Sequence, residues 1–407
     1  MAGHLKEDER SSSSREVNSS TRLMLPSLVI ARGVTQPPLI ITGLLLIDIG
    51  NTFGVPVGVT GQIRTASFVL GIIFALIMGA LSIKFRDKTL LMTGLLIYTI
   101  SASGCYFASD YSVMLILFSL TGVAFAMVVP MCITLIAKHL PQEKRAGAIG
   151  WTYAGASLTN LFGTFIVNNI ASLSGWRWTF LGFVLPFSVL SLLLVTMWVP
   201  YKSRRFHSKM NAGNYIDGFR AVFSNRSAMS CLIGTILSIA AYHFLFTYGA
   251  SFWRQRFLVS KNFASYYLMG MGLGFTVGSL ICGRLAKIIG VKSLTVLSTF
   301  LVGGLIIGTA NVPSLWLSIV LGVISALFAG IMITAFSGLT LEQVPRFRGT
   351  IMSISSAALN MGAAVGTGLG GLILLRYNYS ILGSTLGSLG VVAALIFHLF
   401  AIDPVMD

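Results

Sequence analysis

Long apolar runs follow one another through most of this chain and leave little room for other structure. Ten of them are each long enough to cross about 30 Å of hydrocarbon as a helix. They fall at residues 88–109, 112–136, 147–170, 179–199, 228–250, 263–283, 293–311, 314–339, 350–374 and 380–402. With further spans in the region 23–86, the 407 residues predict about twelve transmembrane helices and no separate catalytic domain.

The composition excludes a water-soluble enzyme. Only 10% of the residues are charged and the mean hydropathy is +0.84, whereas a soluble domain carries about 25% charged residues. A formal net charge of +16 would suggest a nucleic-acid partner in a soluble protein. Here the Lys and Arg residues lie in short loops between apolar runs, with no basic stripe interleaved with exposed aromatics, so we expect a lipid bilayer and no nucleic acid.

The sequence shows no pattern for a metal, a cofactor or an enzyme. The four cysteines are far apart within apolar runs, which gives neither a disulfide framework nor a zinc spacing. There is no Walker loop for ATP, and no carboxylate pair or nucleophile elbow lies within a span. The cysteines are Cys105, Cys132, Cys231 and Cys282.

The loop charges predict how the chain is oriented. Residues 1–22 are Ser-rich and charged and are expected to form a disordered tail. Of the 28 Lys and Arg residues, 21 fall on the side of the tail, six on the other side, and Arg32 is unassigned. Because cytoplasmic loops retain positive charge, we expect a multi-pass cell-membrane protein with both termini cytoplasmic, the last being a short tail at 403–407.

An internal repeat divides the chain into two halves. The segment Gly79-Ala80-Leu81 recurs as Gly283-Arg284-Leu285, 204 residues later, and Arg145 has its counterpart at Arg348, 203 residues later. An internally duplicated transporter produces such a shared offset. The predicted domains are a six-helix half at 23–199, a basic cytoplasmic linker at 200–227, and a second six-helix half at 228–402.

The first helix has two alternative registers. Hydropathy alone places it at about 39–59, with Asp48 near the bilayer midplane. The repeat offset instead places it at about 24–46, interrupted by Gln36-Pro37-Pro38, with Asp48 at the outer mouth and Arg32 deep inside. The offset favours the second register.

Three motifs resemble those of the major facilitator superfamily. Gly175-Trp176-Arg177-Trp178-Thr179-Phe180 is similar to the signature that opens the sixth helix of many members, and Gly283 to Lys292 to the loop between the second and third helices of a half. The glycines after Arg348 resemble the eleventh helix of the arabinose-efflux and drug:proton antiporter branches. The resemblance implies an all-α membrane protein of twelve transmembrane helices in two six-helix repeats, which transports a solute by alternating access.

The motifs also depart from the family pattern. Ile83 and Lys287 stand where the family's loop has an aspartate, Phe118 stands where proton-coupled drug exporters have an arginine, and Gly163-Thr164 replaces Gly-Pro. Proton-coupled drug export is therefore not inherited directly from the resemblance. The candidate gating-loop residues are Gly79, Lys84, Gly283, Arg284 and Gly290.

Two polar helix faces are candidates for the solute path. Helical spacing puts three side chains of the fifth helix on one face and three of the eleventh on another, and the repeat offset relates Tyr153 to Ser356 and Ser157 to Asn360. They either line one cavity between the halves or act as hydrogen-bonding contacts between helices. The residues are Tyr153, Ser157 and Asn160 on the fifth helix, and Ser353, Ser356 and Asn360 on the eleventh.

Four further residues have a functional and a structural interpretation. His243, beside Tyr242 in the seventh helix, either relays a proton or packs as a neutral side chain. Asp48 is a proton site if central and a solvated or capping residue at the mouth. Arg32, one turn before Gln36 on the path, binds an anionic solute if it is buried and is an ordinary loop charge if it lies at the membrane edge.

Together these features predict a secondary transporter that exports a small organic solute in exchange for protons, with Asp48 or His243 taking the proton. The first alternative is a facilitator or importer of an anionic metabolite, which Arg32 would suit. The second is a non-transporting membrane sensor or assembly protein, favoured by the missing loop aspartates. We expect a monomer.

Overall fold

The computed structural model describes residues 23–140, 142–200 and 212–403, and this part of the chain is helical and contains no strand. The predicted tail at 1–22, residues 201–211 of the predicted linker and the end of the chain at 404–407 lie outside the described residues. We number the twelve long helices α1 to α12 and call Ala212–Ser224 the linker helix.

The first half contains α1 to α6. Its helices are α1 in three pieces at 23–33, Pro37–Leu44 and Leu46–Phe53, α2 at Val57–Thr60 and Gln62–Lys84, α3 at Asp87–Phe107, α4 at Tyr111–His139, α5 at Gln142–Ser174, and α6 at Phe180–Val184 and Leu185–Trp198.

The second half contains α7 to α12. Its helices are α7 at Arg226–His243, Phe244–Tyr248 and Gly249–Arg256, α8 at Lys261–Ile289, α9 at Val291–Asn311, α10 at Leu315–Glu342, α11 at Arg348–Arg376 after a 3₁₀ turn at Pro345–Phe347, and α12 at Tyr379–Phe400. The prediction of an all-α membrane protein with twelve long helices is confirmed.

Eleven helices of the described part are long and apolar enough to cross a membrane, and α5 is not among them. It has 33 residues, which is ample length, but its polar side chains lower its hydropathy. The first candidate span is Leu23–Leu44. This agrees with the second of the two registers, because Arg32 lies inside that span and Asp48 lies beyond its end.

Several of the long helices begin at a polar residue whose side chain caps the helix N-terminus. The side chains of Asp110 and Asn225 accept hydrogen bonds of 3.0 Å from the backbone N–H groups of Val113 and Ala228. Such N-caps satisfy donors that have no partner within the helix. The same contact with Val113 holds the pKa of the Asp110 carboxyl below its usual range, because it stabilises the charged form.

Glycines allow equivalent helix crossings in the two halves. Gly122 of α4 lies against the backbone of Ser67 in α2, and Gly330 of α10 lies against that of Phe275 in α8. A Cβ at either glycine would clash with the facing carbonyl oxygen. These close approaches fix α2 on α4 and α8 on α10, as expected for repeated halves.

The two halves meet along α2 with α11 and α5 with α8. We call the end of the bundle that holds the α1–α2 and α7–α8 connections the far face, and the end that holds residues 23 and 403 the terminal face. Each half interrupts its first helix: α1 leaves the helical path at residues 34–36, and α7 contains a π-helical turn at Phe244–Tyr248. Interrupted helices of this kind form solute and ion sites in transporters.

Candidate functional site

The polar face of α5 changes from exposed to buried along its length. Tyr153, near the terminal face, is 52% exposed, whereas Thr164 is 4% exposed and Asn168 is also buried. At the far end the amide nitrogen of Asn168 donates to the Oδ1 of Asn262 in the other half, at 3.0 Å. This face therefore points toward the second half and meets it only near the far face.

The polar face of α11 behaves in the same way. Ser353 is exposed, Asn360 is 6% exposed and Thr367 is fully buried. The Oγ1 of Thr65 in α2 donates to the Oγ1 of Thr367 at 2.9 Å, which joins the halves. Because both faces are buried in contacts between the halves at one end and more exposed at the other, we infer a gap between the halves that opens at the terminal face.

Arg32 lies beside this gap. Its guanidinium carbon is 5.2 Å from the ring centroid of Tyr153 and 5.6 Å from that of Phe125. The side chain is 9% exposed, and its Nη1 is buried without a hydrogen-bond partner among the described residues. The structure therefore brings together two predicted path residues, Arg32 and Tyr153.

Gln36 and Asn160 form a second pair from the prediction. The Asn160 amide nitrogen donates to the Oε1 of Gln36 at 2.9 Å, and the Gln36 amide nitrogen donates to the Oγ1 of Thr35 at 2.8 Å. Both contacts lie where α1 is interrupted. The break in α1 thus presents a polar amide pair to the face of α5.

The residues predicted on α11 stand apart from those on α5. The amide of Asn360 donates to the carbonyl oxygen of Ser356 in its own helix, at 3.1 Å. In the described part of the chain, no hydrogen bond joins Asn360 to Asn160 across the gap. A role of either face in solute binding stays a prediction.

Arg64 is one of the six basic residues that the sequence analysis assigns to loops opposite the tail, and for Arg64 this prediction is wrong. Its side chain is fully buried. It donates from Nε to the Oγ1 of Thr42 at 2.7 Å, from Nη1 to the carbonyl of Phe246 at 3.1 Å and the Oγ1 of Thr247 at 2.7 Å, and from Nη2 to the carbonyl of Leu39. It lies in α2, and two of its acceptors belong to the π-helical turn of α7, so Arg64 joins the two halves.

His243 extends this contact. Its Nδ1 is 2.9 Å from the Oγ1 of Thr247, and its ring makes edge contacts with Phe68 and Phe246. Since Arg64 donates to that same Oγ1, the hydroxyl hydrogen of Thr247 is free to donate to Nδ1 of a neutral His243. We call Arg64, Thr247 and His243 the seam cluster. Tyr242 lies outside it and stacks on Phe246 with centroids 5.8 Å apart.

Asp48 is neither a central carboxylate nor a simple cap. It forms an ion pair of 2.6 Å with Arg254 of α7, and its side chain is 29% exposed. Because Asp48 belongs to α1, this pair also joins the two halves near the far face. The sequence offered no partner for Asp48, since Arg254 lies 206 residues away.

The candidate gating-loop residues lie toward the terminal face, away from the seam cluster. Gly290 ends α8 with a φ of +83°, a conformation that glycine adopts without strain. Lys84 and Arg284 are exposed, and an added Cβ at Gly283 would meet open space. Gly79 lies within α2, and a gating role for these loops stays a prediction.

The Gly-Trp-Arg-Trp motif connects the helices of the first half at the far face. The indole nitrogen of Trp176 donates to the Oγ1 of Thr52 at 2.8 Å, and the Nη1 of Arg177 donates to the carbonyl oxygens of Tyr106 and Ala108 at 3.1 and 2.6 Å. These contacts hold the start of α6 against the ends of α1 and α3. The motif is therefore structural in this chain.

The family comparison agrees with this architecture. The sequence pattern of the Major Facilitator Superfamily matches residues 38–278 and 250–406. The chain belongs to this superfamily. It is a multi-pass secondary transporter of small molecules and not an enzyme.

Relatives and solved structures are of the same kind. The chain is 28% identical over 332 residues to the MFS-type transporter YceJ of Bacillus subtilis. The aligned region covers 79% of this chain and 82% of the relative. It is 26% identical over 362 residues to a "Probable sugar efflux transporter" of Mannheimia succiniciproducens, covering 86% and 87% of the two chains.

Two solved transporters share the fold at low identity. An inward-facing bacterial homologue of the human lysosomal transporter Spinster has a TM-score of 0.74 at 16% identity and covers 93% of this chain and 95% of its own. A D-xylose–proton symporter has a TM-score of 0.75 at 15% identity and covers 95% and 98%. At these identities the likeness is one of fold.

Proposed function

We propose that this transporter exports a small organic solute from the cell by alternating access, in exchange for protons. The observation that carries the proposal is that the polar faces of α5 and α11 are exposed near the terminal face and are buried in contacts between the halves near the far face. The terminal face carries most of the basic loop residues, which is typical of the cytoplasmic side. A relative named as a sugar efflux transporter supports the direction.

Proton coupling is assigned to His243 rather than Asp48. His243 is buried at the contact between the halves and is linked through Thr247 to Arg64. Protonation would make Nδ1 a donor and place two cations on either side of one hydroxyl group. Among the described groups, Arg64 is the charge that faces His243, and the repulsion weakens the contacts that seal the far face.

The test uses proteoliposomes that contain the purified protein and a pH-sensitive dye in the lumen. A panel of neutral, cationic and anionic small solutes is added, and luminal pH and labelled solute are followed. We expect solute movement to be accompanied by proton movement in the native protein. In His243→Asn, solute exchange should persist while proton movement falls about tenfold or more, because Asn retains a polar amide but takes no proton.

Asp48→Asn is the matched control, since it also removes a titratable group near the far face. It should weaken the ion pair with Arg254 but keep proton movement coupled to solute. Coupling lost in Asp48→Asn and kept in His243→Asn would reverse the assignment. Solute movement without protons in the native protein would support the facilitator alternative, and no movement of any solute would support the sensor alternative.

A further inference from the structure

We infer that the solute carries an anionic group, a carboxylate or a phosphate, which binds the guanidinium of Arg32 in the gap between the halves. The inference rests on the proposed transport function and names the chemical class of what is transported. Arg32 is buried, its Nη1 has no hydrogen-bond partner among the described residues, and two aromatic rings lie beside it. Arg64, the other buried arginine, has a full set of hydrogen-bond acceptors.

Arg32 has a buried charge without a counter-ion among the described residues. Its side chain is 91% buried, since 9% of its surface is exposed, and its Nη1 has no hydrogen-bond partner among the described residues. A buried, unpaired cation is costly in a membrane protein and marks a binding site more often than a packing position.

The described side chains provide no carboxylate that pairs with Arg32. Asp48 is paired with Arg254, Asp87 is paired with Lys138, and Asp110 caps α4. The remaining four acidic residues of the described part lie at the terminal face, at the start of α5, in the linker helix, at the end of α10 and beyond α12: Glu143, Asp217, Glu342 and Asp403. Because none of the described carboxylates pairs with Arg32, we infer that a ligand supplies its negative charge.

Arg64 is also buried, but its guanidinium has a different environment. Four neutral acceptors from α1 and α7 satisfy the guanidinium of Arg64. The guanidinium carbon of Arg32 instead lies over the rings of Phe125 and Tyr153, at 5.6 and 5.2 Å from their centroids, and its Nη1 has no hydrogen-bond partner among the described residues. Arg64 therefore connects the two halves, whereas Nη1 of Arg32 is a donor without a partner among the described residues.

A solute that binds Arg32 must also be able to reach its guanidinium. Tyr153, whose ring lies beside Arg32, is itself 52% exposed, and we infer that a solute approaches the guanidinium past this side chain. The Gln36–Asn160 amide pair, one turn further along α1, lies where the polar remainder of a solute would bind. Carboxylate and phosphate groups both match the planar, paired donors of a guanidinium.

The first experiment needs no knowledge of the solute and measures thermal unfolding of the purified protein in lipid nanodiscs. Without ligand, Arg32→Met should melt about 2 °C or more above the native protein, because an apolar side chain of similar length replaces an unpaired charge. The matched variant Arg64→Met should melt below the native protein, because it leaves four acceptors without a donor. An Arg32→Met variant that melts below the native protein would overturn the inference.

The second experiment adds sodium acetate or inorganic phosphate at constant ionic strength. We expect one of the two anions to raise the melting temperature of the native protein and to have no effect on Arg32→Met, and the effective anion identifies carboxylate or phosphate chemistry. Equal shifts in both proteins, or none in either, would contradict an anion site at Arg32.

The third experiment separates this inference from the proposed function. In proteoliposomes, glucose, glucosamine, glucuronate and glucose 6-phosphate differ chiefly in charge, and anionic members should be exchanged preferentially, with a loss of about tenfold or more in Arg32→Met. Exchange of neutral or cationic members that is unchanged in Arg32→Met would overturn the inference and leave transport intact. Anion-dependent stabilisation without any exchange would uphold the site and contradict transport.

Discussion

Arg64 shows how one residue can hold a transporter in one conformation. Its guanidinium contacts α1 through Thr42 and Leu39 and the other half through Phe246 and Thr247, using neutral acceptors throughout. A planar group with five donors suits such a set, whereas the single ammonium of lysine does not. The contact between the halves therefore depends on geometry as well as charge.

We predict that Arg64→Lys destabilises the protein nearly as much as Arg64→Gln. Each loses donors to buried carbonyl and hydroxyl groups, and the cost is about 3 kcal/mol. Thermal unfolding in nanodiscs measures the change. The control is Arg346→Lys at an exposed position of the terminal face, where the substitution should have little effect, and an Arg64→Lys variant as stable as the native protein would show that charge alone is sufficient.

At the scale of helices, glycines lie at two kinds of close helix contact. Some of these contacts lie within one half, and others join the two halves and must separate during transport. Gly122 lies at the crossing of α2 and α4 inside one half, whereas Gly371 of α11 lies against Gly58 of α2 in the other half. Added Cβ atoms would clash with backbone oxygen in both cases. A clash inside a half opposes folding, but a clash between halves opposes only the state in which the far face is closed.

We predict that Gly371→Ala shifts the protein toward a state that is open at the far face, while Gly122→Ala lowers stability without that shift. The measurement is labelling of Thr164→Cys by a membrane-impermeant maleimide added from the far face, and the four native cysteines are all buried. Labelling should rise about tenfold in the Gly371→Ala background.

Gly272→Ala is the control for this pair, because nothing lies within 4 Å of its added Cβ. It should leave labelling unchanged and increase stability slightly, by about 0.5 kcal/mol. If Gly122→Ala raised labelling as much as Gly371→Ala, the distinction between contacts within a half and contacts between the halves would be lost.

The helices also show what the sequence could and could not predict. Hydropathy located ten spans, and the Gln36-Pro37-Pro38 break in α1 was visible because proline interrupts a helix. The π-helical turn at Phe244–Tyr248 had no such signal, because none of its five residues is a proline or a glycine. The burial of Arg64 was also hidden, since its acceptors lie up to 183 residues away and become neighbours only when the halves meet.

Periodicity was more informative about the candidate site than about its charges. The spacing of Tyr153, Ser157 and Asn160 placed them on one face of α5, and the structure extends that face to Asn168 at the contact with α8. The ion pair between Asp48 and Arg254 depends on how α1 and α7 meet. No helical pattern within either half contains that information.

At the scale of the whole molecule, alternating access requires α2 and α11 to separate at the far face when the terminal face closes. Thr65 and Thr367 mark this contact, with their Oγ1 atoms 2.9 Å apart across the halves. Ser67 and Thr121 are a matched pair within the first half, with Oγ and Oγ1 2.7 Å apart on α2 and α4. Since the hydroxyl groups of each pair are in contact, the two positions of each pair are suitable for testing a disulfide after substitution by cysteine.

We predict that oxidation of Thr65→Cys/Thr367→Cys abolishes solute exchange in proteoliposomes and that a reductant restores it, because the covalent bond prevents the halves from parting. Oxidation of Ser67→Cys/Thr121→Cys should leave exchange nearly unchanged, since α2 and α4 move together as one half. Each single-cysteine variant, treated with the same oxidant, controls for side reactions. Exchange that continued with the first pair fully cross-linked would mean that solute passes without separation of α2 and α11, and rocking of the halves would then be excluded as the mechanism.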